Sequence, residues 1–198
     1  ENAFWGSTVE TIYFPSSVIE LEDGWCDYTG NLTKIFIDPS NPRYSMYKDE
    51  YIIGKSTLNQ SNYDILVFAV RNIENAFIPN FIEIIGPYSF CVCENLKKIE
   101  FPSDSKIKEI QKGAFSCSSI NKIVLPSSIT KICEEAFVGC ENLEFVTFSE
   151  DSELKSIGKL AFSSTSLCEI SIPSKLVELE DSWFHNSGDL MYISVMPK

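Results

Sequence analysis

Histidine is nearly absent from this 198-residue chain, which contains a single histidine, His185. Serine, cysteine or lysine nucleophiles need a base within hydrogen-bond reach, and the sequence contains neither a Gly-rich phosphate loop nor a paired-carboxylate motif. It also lacks a Cys-x-x-Cys pair, and His185 has no neighbour at zinc-ligand spacing. We therefore predict a protein that is not an enzyme, holds no metal or cofactor, and carries His185 on an exposed turn.

Basic residues are scarce as well, with 16 Lys and Arg against 28 Asp and Glu, a net charge of −12. Nucleic acid is excluded as a partner because its binding releases counterions to a basic surface. No apolar run approaches the ~18 residues of a membrane span, which predicts no direct membrane insertion. The chain starts at Glu1 without a leader, so the sequence does not identify its compartment directly.

A repeat of an apolar-x-apolar tripeptide runs through the whole chain. Its third residues are separated by 23, 41, 23, 24, 23, 24 and 23 positions, so only one step is anomalous. Such a period is typical of solenoids. The eight tripeptides are Ile12–Phe14, Ile35–Ile37, Ala76–Ile78, Ile99–Phe101, Ile123–Leu125, Val146–Phe148, Ile170–Ile172 and Ile193–Val195.

Flanking residues repeat with the tripeptides. An apolar residue stands three positions before each one, at Val9, Leu32, Ile73, Leu96, Ile120, Leu143, Leu167 and Leu190. The second half of each repeat ends near an aromatic residue, and we expect Phe90, Phe115, Phe137 and Phe162 to be buried. The head, Leu-x-x-Ile-x-Ile-Pro, and the tail, Ile-x-x-Ile-Gly-x-x-Ala-Phe-x-x-Cys-x-x-Leu, resemble the BspA-like, or treponemal-type, leucine-rich repeats over about residues 9–196.

The resemblance implies an α/β repeat fold that is mainly β: a leucine-rich-repeat solenoid with about eight parallel strands and short helical turns on the opposite side. We expect residues 1–198 to form a single domain and the array to continue beyond both ends, because terminal repeats normally carry a capping face. The anomalous step predicts an insertion over residues 38–77. Its Asp38–Pro42 turn precedes two apolar segments, 51–53 and 65–69, which predict a β-hairpin.

The seven cysteines are an odd number, so at least one is unpaired or intermolecular. Cys93, Cys117 and Cys140 each precede an opening Leu or Ile by three residues, which predicts that they stack on successive repeats. A disulfide ladder is one interpretation of this pattern. We favour reduced, structural cysteines, because buried thiols behave as small hydrophobic groups.

The outward face of the eight predicted strands is the candidate binding surface. Side chains alternate between the two faces of a strand, and the outward positions in the first half of the chain combine aromatic and basic residues. Tyr and Phe are enriched in interface cores, so we predict a partner-binding site. Its residues are Tyr13, Lys34, Phe36, Phe77, Lys98, Glu100, Lys122 and Val124, with the 38–77 insertion as one wall. Alternatively, the hairpin covers Phe36 and Phe77, or these residues only reflect strand propensity.

Two functions remain open. The resemblance implies a non-enzymatic cell-surface or secreted adhesin that binds another protein of the extracellular matrix or a host. The alternative is a cytoplasmic protein-interaction scaffold with reduced cysteines. The sequons at Asn31 and Asn59 would be glycosylated only in a secretory route, which gives a way to separate the two.

Overall fold

The computed structural model describes residues 3–187 and 192–196, which form a solenoid of short strands and turns without a helix. Its strands, in chain order, are β1 (Thr11–Phe14), β2 (Lys34–Ile37), β3 (Tyr44–Tyr47), β4 (Tyr51–Gly54), β5 (Ile65–Ala69), β6 (Asn75–Phe77), β7 (Ile84–Ile85), β8 (Lys98–Glu100), β9 (Glu109–Ile110), β10 (Lys122–Leu125), β11 (Lys131–Ile132), β12 (Phe145–Phe148), β13 (Ser156–Ile157), β14 (Glu169–Ile172), β15 (Glu178–Leu179) and β16 (Tyr192–Val195).

The eight predicted tripeptides coincide with strands, except that Ile78 and Phe101 lie one residue past the ends of β6 and β8. We call these the head strands: β1, β2, β6, β8, β10, β12, β14 and β16. Burial alternates along them, so that Ile12, Ile99 and Ile123 point into the core while their neighbours are exposed. This alternation follows from the two-residue period of a strand. The predicted parallel solenoid is therefore confirmed, although Ile193 in β16 is 54% exposed, and Leu190 lies outside the described residues.

Pairing of the head strands follows the spacing of the repeats. Strands 23 residues apart form parallel pairs: β1–β2, β6–β8, β10–β12 and β14–β16. Strands separated by 24 or 41 residues, such as β8 and β10, form no ladder within the described ranges. The 24-residue steps have a longer loop after the strand: six positions separate Phe101 from the next buried Ile107, against four from Ile78 to Ile82.

A second set of strands, which we call the tail strands, comes from the Ile-x-x-Ile half of the repeat. They are β7, β9, β11, β13 and β15, and they pair in parallel. Successive repeats of the solenoid, which we call rungs, approach closely beside the tail strands. A Cβ added to Gly158 would lie 2.5 Å from the Glu134 backbone nitrogen of the preceding rung. This close approach explains the glycine in the Ile-Gly motif at Gly158.

The insertion extends the tail sheet. Antiparallel β3, β4 and β5 join it through a parallel pairing of β5 with β7, and a bulge at Val67 of β5 shifts the register opposite Ile52 and Ile53 of β4. The predicted hairpin is thus confirmed as β4–β5. Strand β3 was not predicted, although its two tyrosines, Tyr44 and Tyr47, are residues that favour strands.

The turns around the buried aromatic residues are not the short helical turns that were expected. Two left-handed residues flank Phe90, namely Tyr88 (φ 54°) and Val92 (φ 56°), and the same positions recur in the other turns. Two positive φ values four residues apart are incompatible with a right-handed helix. The recurring pairs are Gly24/Tyr28, Tyr88/Val92, Gly113/Cys117, Glu135/Gly139, Leu160/Ser164 and Ser182/Asn186.

These turns hydrogen-bond directly from one rung to the next. The N–H groups of Tyr88, Phe90 and Val92 donate to the carbonyls of Lys112, Ala114 and Ser116 at 3.1, 2.7 and 2.9 Å. The N–H groups between them bond within the turn, as Cys91 N–H does to the Tyr88 carbonyl at 3.1 Å. The turns therefore form a column in which N–H groups point toward the following rung and carbonyls toward the preceding one.

The core contains a stack of four phenylalanines, all fully buried as predicted. Phe90, Phe115, Phe137 and Phe162 lie with ring centroids 5.0, 5.0 and 5.1 Å apart and interplanar angles of 12°, 2° and 4°. Edge-on contacts with Tyr51 and Trp183 close the two ends of the stack. The stack ties each rung to its neighbours.

The predicted stacking of three cysteines is wrong in one respect. Cys93 and Cys140 are buried three residues after a stacked Phe, whereas Cys117 follows Phe115 by two and takes the left-handed position. The reason is that the 24-residue step shortens the link from Phe115 to Ile120. Cys140 instead contacts Ser118, with Sγ and Oγ 3.5 Å apart.

Candidate functional site

The outward surface of the head strands, which we call the head face, carries all eight residues of the predicted site, and all are exposed. Tyr13, Phe36, Phe77 and Val124 are 61%, 56%, 47% and 63% exposed. Single exposed apolar side chains are common on protein surfaces, but a contiguous patch of them marks an interaction surface. The insertion leaves Phe36 and Phe77 open to solvent.

Three of these residues form a first patch on the pair β1–β2. Tyr13 lies opposite Phe36, and Lys34 lies opposite Thr11 on the same face. The Tyr13 hydroxyl donates to Asp38 Oδ2 at 3.4 Å. Hydrogen bonds from the Ser40 hydroxyl and N–H lower the pKa of Asp38, so this carboxylate is charged at neutral pH and orients the phenol ring.

The other five residues line an open groove of about 700 Å³ on strands β6, β8 and β10. Its floor lies where β8 and β10 do not pair, and its rims are the loops that follow the strands. Phe77, Phe101, Val124 and Leu125 supply apolar surface. The rims are completed by loop residues that the strand pattern does not indicate: Pro102, Ser103, Pro126, Ser149 and Asp151. The recurring Pro after the head tripeptide was the available signal for Pro102 and Pro126.

One turn of the insertion approaches this groove. Lys48, between β3 and β4, places its Nζ 5.7 Å from the centroid of the Phe77 ring, within range of a cation–π interaction. The Phe77 N–H donates to the hydroxyl of Tyr51 in β4 at 3.1 Å. The insertion therefore fixes both the backbone and the exposed ring of Phe77.

Charges around the groove are mixed. Lys98 and Glu100 form an ion pair within β8, so this lysine adds little net charge to the face. Asp151 remains ionised on the opposite rim, since the Ser149 hydroxyl bond lowers its pKa. An exposed ion pair such as Lys98–Glu100 contributes about 0 to 1 kcal/mol to the free energy of folding. The groove thus offers apolar surface with single charges at its edges rather than a strong field.

A second, polar groove of about 570 Å³ crosses the tail strands. Its charged residues pair between adjacent rungs, with Lys112 3.1 Å from Glu134 and Lys131 3.8 Å from Glu109. Each charge in these pairs is neutralised by its partner on the adjacent rung. Among the described residues, the lining of this groove contains no large exposed apolar residues like those of the head face. The head face is therefore the better candidate.

His185 lines neither groove. His185 is exposed on a turn, as predicted, and its carbonyl accepts the Ser164 N–H at 2.9 Å. Over residues 3–187 and 192–196 no group of three His, Cys, Asp or Glu side chains could hold a metal ion. The same ranges contain no helix with the length and hydropathy to cross a membrane.

Comparison with known sequences identifies the repeat. The BspA type leucine-rich repeat region matches residues 64–191 as six copies, well over half of the chain. None of the curated proteins matches the chain significantly.

Three solved structures share the fold. A leucine-rich cell surface protein from Faecalibacterium prausnitzii aligns over 100% of this chain and 51% of its own, at 24% identity and a TM-score of 0.65. The pneumococcal vaccine antigen PcpA aligns over 78% and 50%, at 17% and 0.58. A leucine-rich repeat protein from Eubacterium ventriosum aligns over 94% and 61%, at 22% and 0.54. The chain thus spans about half of the first two proteins, and the similarity establishes the architecture.

Proposed function

Because the chain belongs to the BspA-type leucine-rich repeat family, we propose that it is a non-enzymatic protein-binding scaffold of the cell-surface or secreted adhesin type. The partner is another protein and docks on the head face. The family assignment supports a binding scaffold. A cell surface protein and a vaccine antigen among the structural neighbours support the extracellular location.

The observation that carries the docking site is the exposed apolar band on the head face. It runs from the patch of Tyr13 and Phe36 into the groove, where it continues with Phe77 and Val124. Binding energy concentrates in a few buried aromatic anchors surrounded by contacts that exclude water. Phe36 and Phe77 are placed to be such anchors, with Lys34 and Lys122 at the edge of the contact.

A second candidate, an intracellular interaction scaffold, is favoured by one observation. All seven cysteines are free thiols in the structure, and Cys26, Cys91, Cys93 and Cys140 are buried. Intact-mass measurement of the native protein separates the candidates, because glycan mass on Asn31 or Asn59 requires a secretory route. Unmodified protein from a cytosolic fraction, with seven reactive thiols in denaturant, would support the intracellular scaffold.

The docking site is tested with the double variant Phe36→Ser/Phe77→Ser. A panel of purified extracellular-matrix proteins is screened for binding by surface plasmon resonance, and each hit is measured again with the variant. Aromatic anchors contribute about 2 kcal/mol or more each, so we expect binding to weaken by well over tenfold while the melting temperature stays near that of the wild type, since both side chains are exposed.

The control is a pair of changes on the acidic turn that ends β15, in the polar groove of the tail strands, Glu178→Ser/Glu180→Ser. It should leave binding unchanged. If the aromatic double variant binds normally and the turn variant does not, the partner docks on a different surface and the assignment to the head face is wrong.

A further inference from the structure

The column of hydrogen-bonded turns is interrupted where the insertion enters. It runs from Tyr88 to His185 and also joins the first two turns, where the Gly6 N–H donates to the Asp27 carbonyl at 3.0 Å. Between the turn at 24–29 and the turn at 88–93 there is no turn of this kind, because the insertion replaces one rung with three antiparallel strands. The column therefore has two unfinished ends that face each other inside the protein.

The unfinished ends have opposite polarity. The turn at 24–29 presents N–H groups toward the gap, and the turn at 88–93 presents carbonyls, since every turn in the column has the same orientation. Buried peptide groups without a partner are destabilising. A replacement must therefore offer an acceptor on one side and donors on the other.

Arg71 adds side-chain donors to those of the backbone. It is 1% exposed, and its Nη1 donates to the Ser89 carbonyl at 2.9 Å, which also accepts the Ala69 N–H at 2.9 Å. Its Nη2 reaches the Tyr88 carbonyl at 3.4 Å, which also accepts the Cys91 N–H at 3.1 Å.

The same guanidinium reaches back across the gap, with Nη2 3.7 Å from Cys26 Sγ and Nη1 3.6 Å from Cys93 Sγ. The planar fork of Nη1 and Nη2 suits such a multidirectional contact better than an ammonium would, while the buried Nε has no hydrogen-bond partner among the described residues.

Asp27 supplies the acceptor. In other turns the N–H of the second left-handed residue donates to a carbonyl of the next rung, whereas the Tyr28 N–H donates to Asp27 Oδ1 at 2.9 Å. The Cys91 thiol, which belongs to the turn across the gap, donates to the same oxygen at 2.8 Å. A carboxylate thus stands at the N–H end and a guanidinium at the carbonyl end.

The hydrophobic core divides at the same place. One cluster contains Ile12, Phe14, Trp25 and Phe68, and the other begins with Tyr51 and Ala69 and continues to Ile170. The Arg71 guanidinium lies between them, 4.2 Å from the Phe68 ring centroid on one side and bonded to Ser89 on the other. Burial raises the pKa of the Cys26 thiol to about 12, so this neighbour is uncharged at pH 7.

We infer that Arg71 and Asp27 form a side-chain splice that replaces the missing turn. The splice joins the two blocks of the solenoid, which are the parts on either side of the gap in the column. The splice holds the first block, with Tyr13 and Phe36, in a fixed relation to the second, with Phe77 and the groove. It is a conformational device of the fold. Because the splice acts between the two blocks of the core, this role does not depend on which protein binds the head face.

The competing interpretation is that Arg71 is only a buried ion, which contributes nothing and costs desolvation. Buried charges replaced by apolar residues of similar size are often neutral or stabilising. The two interpretations predict opposite results for Arg71→Met. The splice also predicts that Arg71→Lys fails to restore the joint, because a single ammonium cannot bridge Ser89 and Cys26 together.

The test measures alkylation of individual cysteines by peptide mapping, in the 198-residue chain and its variants. In the wild type, exposed Cys168 reacts at once and buried Cys26, Cys93 and Cys140 react slowly. Labelling of a buried thiol reports the local opening of its surroundings, so Arg71→Met and Arg71→Lys should each raise the rates of Cys26 and Cys93 about tenfold or more. Cys140, in the uninterrupted part of the column, should change by less than about twofold.

Two further variants complete the design. Leu143→Ala destabilises the solenoid next to Cys140 and should expose Cys140 more than Cys26, which shows that the probe resolves the two regions. Asp27→Ala acts at the partly exposed side of the splice and should increase labelling of Cys91, whereas Asp27→Asn keeps an acceptor for Tyr28 and should increase it less. The inference is overturned if Arg71→Met or Arg71→Lys labels like the wild type, if Cys140 rises together with Cys26, or if Asp27→Ala leaves Cys91 protected.

Discussion

Replacing Phe137 with alanine tests the core most directly, because this ring stacks on both faces. It is fully buried, with Phe115 5.0 Å away at 2° and Phe162 5.1 Å away at 4°. A buried Phe→Ala change costs about 3 to 5 kcal/mol through lost transfer energy and the cavity that remains. Each aromatic contact adds about 0.5 to 1.5 kcal/mol beyond area burial, so we expect a loss near the top of that range, about 5 kcal/mol.

The loss is measured by urea denaturation and by thermal melting. For a chain of this size about 1 kcal/mol corresponds to roughly 2 to 4 °C, so the melting temperature should fall by roughly 10 °C or more. Phe145→Ala is the matched control, because Phe145 lies on a head strand and is 54% exposed; it should change stability by about 0.5 kcal/mol or less. A Phe137→Ala protein that melts like the wild type, or a Phe145→Ala protein that loses as much, would refute the burial described for the stack.

Three other perturbations have clear expected outcomes. Gly158→Ala should lower the urea midpoint strongly, because the new Cβ would lie 2.7 Å from the Cys133 carbonyl carbon and 2.5 Å from the Glu134 nitrogen; an unchanged midpoint would contradict the close approach of the rungs. Stability should fall above pH 9, since burial raises the pKa of the Cys140 thiol from 9.0 to about 12 and the unfolded state loses this proton first; the slope should be about 1.4 kcal/mol per pH unit for this thiol and should decrease in Cys140→Ser. Lys175→Ala should change the melting temperature little, despite its 2.5 Å ion pair with Glu153, because both side chains are half exposed; a large decrease would contradict this estimate.

The head strands could be predicted because their signal is local. Alternation in Ile123-Val124-Leu125 and the fixed spacing of its relatives determine both strand and register. The head face followed from the same alternation, and Phe36 and Phe77 are exposed as expected. Periodicity was sufficient wherever a residue's environment repeats from rung to rung.

Features that depend on contacts between rungs could not be predicted in this way. Nothing in the Val92 or Glu135 side chains indicates a left-handed backbone, and both adopt it because bonds from their N–H groups to the next rung compensate the cost. The groove depends on loops whose lengths differ by two residues, and its rim residue Asp151 lies in a loop outside the alternating head strands. Arg71 had no signal at all, since its partners are backbone carbonyls and thiols distant in sequence.

The alternation of paired and unpaired head strands makes a block of two rungs the modular unit of this chain. A 23-residue step followed by a 24-residue step spans 47 residues, and Cys93-Glu94-Asn95-Leu96 recurs unchanged as Cys140-Glu141-Asn142-Leu143 at that distance. Deleting residues 79–125 would therefore join Ile78 to Pro126 in the place of Pro79 and preserve every loop length. Deleting a single rung would instead bring loops of different length into adjacent positions. Engineered arrays built from this sequence should be lengthened or shortened in steps of two.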